Sequence, residues 1–164
     1  MIKKLRTPLT KEIVATLKHG DTVYLSGTVF TARDAAHRLL TDAINGGEEN
    51  PLRGEVIYYA GPADKSPDDV IGSVGPTTSY RMDAFMPTML SAGSLYSIGK
   101  GKRAESVKEA IRAAGGVHFD AIGGAGAYYK SCVKKCETFL YPELGAEAVY
   151  KLEVEDFPLV VNVV

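Results

Sequence analysis

Asp21-Thr22-Val23-Tyr24-Leu25-Ser26-Gly27-Thr28-Val29-Phe30, followed at once by Thr31-Ala32-Arg33-Asp34-Ala35-Ala36-His37, is the stretch that decides the fold class. The first ten residues are rich in β-branched and aromatic side chains, which suit a pleated strand, and Gly27 inside the run marks a bulge or a close backbone approach. Thr31 reads as a helix N-cap. The helix expected from about Ala32 to Ile44 turns Ala35, Ala36, Leu39, Leu40 and Ala43 inward and stops at Asn45-Gly46-Gly47. A strand feeding directly into a helix is the repeating unit of an α/β domain.

The same alternation continues outward. Glu55 to Ala60 reads as a short buried strand closed by Gly61-Pro62, Ser94 to Ile98 as another, and Val117 to Ile122 as a third. Between them, Arg81 to Ala92 carries Ala84, Phe85, Met86, Met89 and Leu90 at helical spacing, with Pro87 limiting where the first turn lies. Ala104 to Ala114 is an amphipathic helix with Val107, Ala110 and Ile111 inward and its charges three or four apart on the wet face. A short helical stretch is expected around Tyr128 to Val133. Thr138 to Tyr141, Ala148 to Val154 and Pro158 to Val164 are strand-like runs, the last two separated by Glu155-Asp156. Helices alternating with strands in the middle and strands gathered at the end predict an α/β fold with a mixed sheet flanked by helices. Ala63 to Ser73 has no periodic apolar face and is a long loop, either shaping the entrance to a site, meeting a partner, or covering surface.

A chain of 164 residues with 45% hydrophobic content suits a single domain spanning 1–164. Its 19 Lys and Arg nearly balance 20 Asp and Glu, so no overall field draws it to nucleic acid or to an anionic membrane, and any anion affinity is local. No run reaches transmembrane length and the start lacks the apolar block of a secretory signal, which gives a cytoplasmic expectation. The only two cysteines, Cys132 and Cys136, would share a face on a helix, but two thiols close neither a zinc site nor an iron–sulfur cluster.

Local anion affinity has three candidate sources. Gly75-Pro76-Thr77-Thr78-Ser79-Tyr80-Arg81-Met82-Asp83 sets a turn, hydroxyls and a guanidinium before an apolar run; Arg33 stands at the start of the first helix; Lys100 lies between Gly99 and Gly101 at the head of a basic run ending in Arg103. Arg33 and Arg81 near helix N-termini can bind a carboxylate through two parallel hydrogen bonds, or else pair with the neighbouring Asp34 and Asp83. Lys100 between glycines either neutralises a second carboxylate or belongs to a basic surface turn. Asp34 and His37, three apart, form a proton-transfer pair or a histidine satisfied locally. His118 and His19 have no evident partner in the sequence. Thr77 and Thr78 are poor proton acceptors without an activating neighbour, and none is apparent. Gly123-Gly124-Ala125-Gly126 lacks phosphate-loop spacing and reads as a tightly packed turn, and no Gly-x-Ser-x-Gly elbow or His-Glu-x-x-His motif occurs.

Taken together, Ser26-Gly27, Thr31 to His37, Tyr59-Ala60-Gly61-Pro62, Gly75 to Asp83, Gly99-Lys100-Gly101 and Gly145-Ala146-Glu147-Ala148 resemble the β subunit of class I, iron–sulfur-dependent fumarase and L-tartrate dehydratase, over roughly Leu9 to the end. The resemblance implies a swivelling β/β/α domain acting with a cysteine-bearing α subunit, whose three cysteines hold a 4Fe-4S cluster that binds substrate as a Lewis acid. It implies no metal bound by this chain and a hetero-oligomeric, two-subunit hydro-lyase interconverting fumarate and malate, with tartrate dehydration as the neighbouring activity. By motif match Arg33, Arg81 and Lys100 bind the small dicarboxylate and Thr77 is the proton-transferring hydroxyl, with Asp34, His37 and Thr78 supporting them. Tyr80 departs from the small residue common at that place. A rival of another class is a binding module that recognises dicarboxylates without chemistry.

Overall fold

The computed structural model describes residues 1–122 and 124–164, so Gly123 of the expected glycine-rich turn lies outside the described residues. Two long strands organise the chain: β2 (Thr22–Thr31) and β7 (Val149–Val163) run antiparallel over most of their length. Along its other edge β2 takes β1 (Ile2–Arg6) and then β3 (Val56–Tyr58), while β7 takes β6 (Val133–Leu140) and then β5 (Val117–Asp120). With β4 (Tyr96–Gly99) between β3 and β5, the path β2-β3-β4-β5-β7 returns to β2 and closes a barrel-like sheet. Strands β1 to β5 are mutually parallel and β7 runs against them. Around this mixed sheet lie α1 (Lys11–Val14), α2 (Asp34–Asn45), α3 (Met86–Ser91), α4 (Glu105–Ala113) and α5 (Gly126–Cys132), with 3-10 segments over Ser79–Phe85 and Pro142–Glu147. The mixed sheet with flanking helices is the α/β architecture the sequence predicts.

Alternation along β2 sorts its side chains between two cores. Val23, Leu25 and Val29 enter the main core with Tyr58, Phe119, Phe157 and Leu159. Phe30 joins Ile57, Tyr59, Ala36, Leu40, Met82 and Met89 in a second core beneath α2 and α3, so the methionine stripe of residues 82–89 is packing. Gly27 does mark a bulge: the register against β7 shifts between Leu25 and Gly27, φ is +112°, and a β-carbon there would overlap Thr7.

Four local expectations are corrected. Thr31 is not a helix cap but the last residue of β2, where its hydroxyl accepts from the Tyr150 N–H at 3.1 Å and donates to the Ala148 carbonyl. Helix α2 starts at Asp34, with Arg33 as an extended N-cap, and its buried face is Ala36, His37, Leu40 and Thr41, while Leu39 is exposed. Glu155-Asp156 does not end a strand: the two residues bulge opposite Ser26, whose Oγ accepts the Asp156 N–H at 3.0 Å, and β7 continues through them. Cys132 closes α5 and Cys136 lies in β6, so the two thiols do not share a helix face.

Candidate active site

Strands β2, β3 and β4 end at Thr31, Tyr58 and Gly99, and backbone bonding continues one residue past the ends. The Ala32 N–H donates to Tyr58 O at 3.0 Å and the Tyr59 N–H to Ile98 O at 2.8 Å. The carboxyl ends of parallel strands form one rim, the usual place for a ligand in such folds. The Gly75 to Arg81 segment is tied along this rim: the Thr77 N–H donates to Tyr59 O at 2.6 Å, Thr78 forms a parallel bridge with Lys100, and the Ser79 N–H donates to Lys100 O at 2.8 Å. Thr77, Thr78 and Lys100 are therefore held together by main-chain bonds that do not use their side chains. The following turn is 3-10 from Ser79 to Phe85, and Pro87 falls in the first turn of α3, where its missing N–H costs nothing.

One pair of charged side chains meets across the rim. Arg81 pairs with Asp34, Nη2 at 3.0 Å and Nε at 3.1 Å from the same carboxylate oxygen, which links the 3-10 segment to the start of α2. Asp83 does not pair with Arg81; it accepts from the buried Arg103 Nε at 2.8 Å and from the Ala104 N–H at 2.9 Å, anchoring the start of α4. Arg33 lies against Gly61, whose missing β-carbon would stand 3.1 Å from Arg33 Cδ and 2.7 Å from Ala146 O. Among the described residues, Arg33 and Lys100 make no ion pair, Arg33 Nε is buried without a partner, and Asp34 Oδ1 is likewise unpartnered. Arg81 is thus paired with Asp34, while Arg33 and Lys100 are two cations at the rim without an ion-pair partner among the described residues.

His37 does not pair with Asp34. Its Nδ1–H donates to Arg33 O at 2.9 Å, and its ring stacks on Phe85 and meets Tyr59 edge-on. Burial pushes its pKa down to about 4, so at neutral pH it is an uncharged brace for the Arg33 backbone. The N-terminus of α2 receives an unforeseen second carboxylate: the Ala35 N–H donates to Glu147 Oε1 at 3.2 Å. The Gly145-Ala146-Glu147-Ala148 motif contained this residue, but its role depends on β7 returning beside β2.

Sequence reasoning missed a buried polar cluster beneath the rim. Both ring nitrogens of His118 are engaged, by Ser79 Oγ at 3.0 Å and Ser97 Oγ at 2.7 Å, so the histidine read as partnerless is fully satisfied. Arg103, expected in a basic surface run, is buried, and its Nη1 donates to Tyr59 Oη at 2.9 Å. Nothing in Lys100-Gly101-Lys102-Arg103 separates the buried cation from the exposed one; the only signal was Asp83 within the Gly75 to Asp83 motif.

The Ala63 to Ser73 loop is closed at its ends by the Ala63 N–H donating to Ser73 O at 2.9 Å and fastened to α5 by Lys130 and Asp69 at 2.9 Å. With Cys136, Thr138 and Tyr150 it walls a cavity of about 390 Å³ that does not include Arg33, Thr77, Arg81 or Lys100. Tyr80 is exposed beside the rim. Among the described residues no three His, Cys, Asp or Glu side chains gather as a metal site, and no helix is long and apolar enough to cross a membrane.

Comparison with known proteins matches residues 2–164 to the family model described as Fumarase C-terminus. The chain is 41% identical over 155 residues to the anaerobic class I fumarate hydratase of Escherichia coli, covering 90% of this chain and 28% of that protein. It is 40% identical over 161 residues to fumarate hydratase 2 of Leishmania major, covering 96% and 28%. To a protein of Methanocaldococcus jannaschii provisionally named L(+)-tartrate dehydratase subunit beta it is 38% identical over 161 residues, covering 93% of this chain and 83% of that one. The chain thus spans little more than a quarter of the fumarate hydratases it matches.

Proposed function

The chain belongs to the fumarase C-terminus family, and from that premise we propose that it is the β subunit of a heteromeric iron–sulfur hydro-lyase that reversibly hydrates fumarate to L-malate. The observation that carries this reading is a pair of cations at the rim: among the described residues Arg33 and Lys100 have no ion-pair partner, and Arg81 keeps donors beyond those spent on Asp34, which suits a dicarboxylate. Arg33 and Arg81 grip carboxylates with their planar forks, and Lys100 neutralises the second one as a point charge. Thr77 moves the proton, and because no activating neighbour of its hydroxyl occurs among the described residues, that activation comes from the partner. Asp34 holds Arg81, His37 holds the backbone of Arg33, and Thr78 keeps Lys100 in register.

The described residues of this chain do not fit a 4Fe-4S cluster: Cys132 and Cys136 lie on different elements and no third ligand joins them. On this reading the cluster is ligated by cysteines of an α subunit, and this chain binds and orients the substrate. The separate-subunit arrangement is supported by the M. jannaschii relative, which is named a subunit and is matched over most of its length. The same relative supports a second reading, dehydration of L-tartrate to oxaloacetate by the same groups. Anaerobic purification from native cells, identification of co-purifying chains, and assay of fumarate hydration and tartrate dehydration test both. Either activity with a cysteine-bearing partner is the expected result. A lone chain that binds a dicarboxylate and turns over neither substrate would make it a binding module.

A further inference from the structure

We propose that His118 is a positioning residue that holds Thr77-Thr78-Ser79 in register against Lys100, acting through the hydroxyl of Ser79; its kinetic consequence rests on the function proposed above. His118 is fully buried in β5. The polarity of its hydrogen bonds follows from one neighbour. Arg103 Nη1, whose two hydrogens also serve Tyr59 Oη and Ser97 Oγ, lies 3.4 Å from His118 Nδ1, and a guanidinium offers no acceptor, so its charge favours a lone pair over a proton on Nδ1. The Ser97 hydroxyl, 2.7 Å from Nδ1, is then the donor to it, and itself accepts from Arg103 Nη1 at 3.5 Å. The imidazole proton is left on Nε2, which donates to Ser79 Oγ at 3.0 Å. Asp120 Oδ1 stands 3.8 Å from the same Nε2, is buried, and has no other partner among the described residues, so a second acceptor also favours the proton there.

Arg103 is itself fixed by Asp83 at 2.8 Å, so the order of donors runs from the ion pair through Ser97 and His118 to Ser79. Ser79 is fully buried and sits against Gly99, where a β-carbon would overlap its hydroxyl. It is thus held from two sides, by His118 on its side chain and by Lys100 O on its N–H at 2.8 Å. Burial and the Arg103 and Lys108 cations keep the imidazole uncharged, well below its ordinary range, so it orients without exchanging protons. Displacement of Thr77 by about 1 Å when this hold is lost costs up to about a hundredfold in rate.

The test has two readouts that do not need activity. Long-range ¹H–¹⁵N correlation on the labelled chain is expected to show the Nε2–H tautomer of His118 from pH 6.5, the ordinary imidazole value, to about pH 9. An Nδ1–H tautomer or an imidazolium in that range overturns the proposal. His118→Gln keeps an N–H able to reach Ser79, whereas His118→Asn keeps an acceptor toward Ser97 and loses the donor toward Ser79. Amide exchange at position 79 is expected to rise about tenfold in H118N and to stay within about threefold of wild type in H118Q. Equal exchange in the two variants overturns the proposal. If neither variant folds, Ser79→Ala is measured instead, with the same tenfold rise expected at position 79 and unchanged exchange overturning the idea. In the assembled enzyme H118N should lower kcat about tenfold with KM within about twofold, and H118Q should restore it. An assembly with no hydro-lyase activity at all would sink the proposed function, and the tautomer and exchange results would still decide the role of His118.

Discussion

Arg81 places two guanidinium nitrogens on one oxygen of Asp34, Nη2 at 3.0 Å and Nε at 3.1 Å. The pair fastens two segments that lie 47 residues apart in the chain and fixes the guanidinium plane at the rim. A guanidinium has five donors, so this geometry leaves others free for a ligand. Asp34 keeps its second oxygen unpartnered, as Arg33 keeps its Nε. Buried polar atoms left open are costly in a finished core, and their concentration beside uncompensated cations is the physical mark of a binding site.

On the proposed function, Thr77 separates binding from proton transfer. Its N–H to Tyr59 O bond survives any side-chain change, so Thr77→Ala should fold normally. In the assembled enzyme T77A should lose about 10²- to 10⁴-fold in kcat with a smaller change in KM, and Thr77→Ser should recover much of it. Steady-state kinetics on both variants check this. A T77A enzyme with wild-type kcat would remove the hydroxyl from the chemistry.

The Asp83–Arg103 pair is structural. The Arg103 side chain is 0% exposed and that of Asp83 11%, so removing one partner strands a buried charge. Asp83→Ala should cost about 3–5 kcal/mol, measured by denaturant unfolding. The loss of the Ala104 N–H acceptor at the start of α4 adds to it.

His37 makes stability depend on pH with a definite sign. Its folded pKa of about 4 lies below the ordinary value of 6.5, so the unfolded chain binds its proton first as pH falls. Its contribution is fully present above about pH 6.5, declines between pH 6.5 and 4, and is gone below that, a span worth roughly 3 kcal/mol. His118, shifted in the same direction, adds to the slope. In His37→Gln the slope of unfolding free energy against pH in this window should fall by about one proton; an unchanged slope would show that His37 is not held neutral.

The fold was legible wherever a local pattern decided it. The β-branched run at residues 21–30 became β2, and the charge periodicity of residues 104–114 became α4. What failed was what only a long-range partner settles. Thr31 reads as a cap from its neighbours, yet Tyr150, 119 residues away, makes it a strand residue. Glu155-Asp156 reads as a break, yet a bulge opposite Ser26 absorbs it. The site divided in the same way: Arg33, Thr77, Arg81 and Lys100 were marked by their motifs and come to one rim through strand ends and backbone bonds. The residues behind them, Glu147, His118 and Arg103, touch the site only through tertiary packing.

Turnover by the assembly carrying Arg81→Ala tests the central claim most directly. The side chain is 54% exposed, so its removal should cost the fold less than about 1 kcal/mol and leave subunit association unchanged. The expected result is a drop in kcat/KM on the order of a hundredfold for fumarate hydration, or for tartrate dehydration if that is the substrate, because a charge-assisted grip on a carboxylate is lost. An Arg81→Ala complex that assembles normally and turns over as fast as wild type would contradict the placement of the dicarboxylate at this rim.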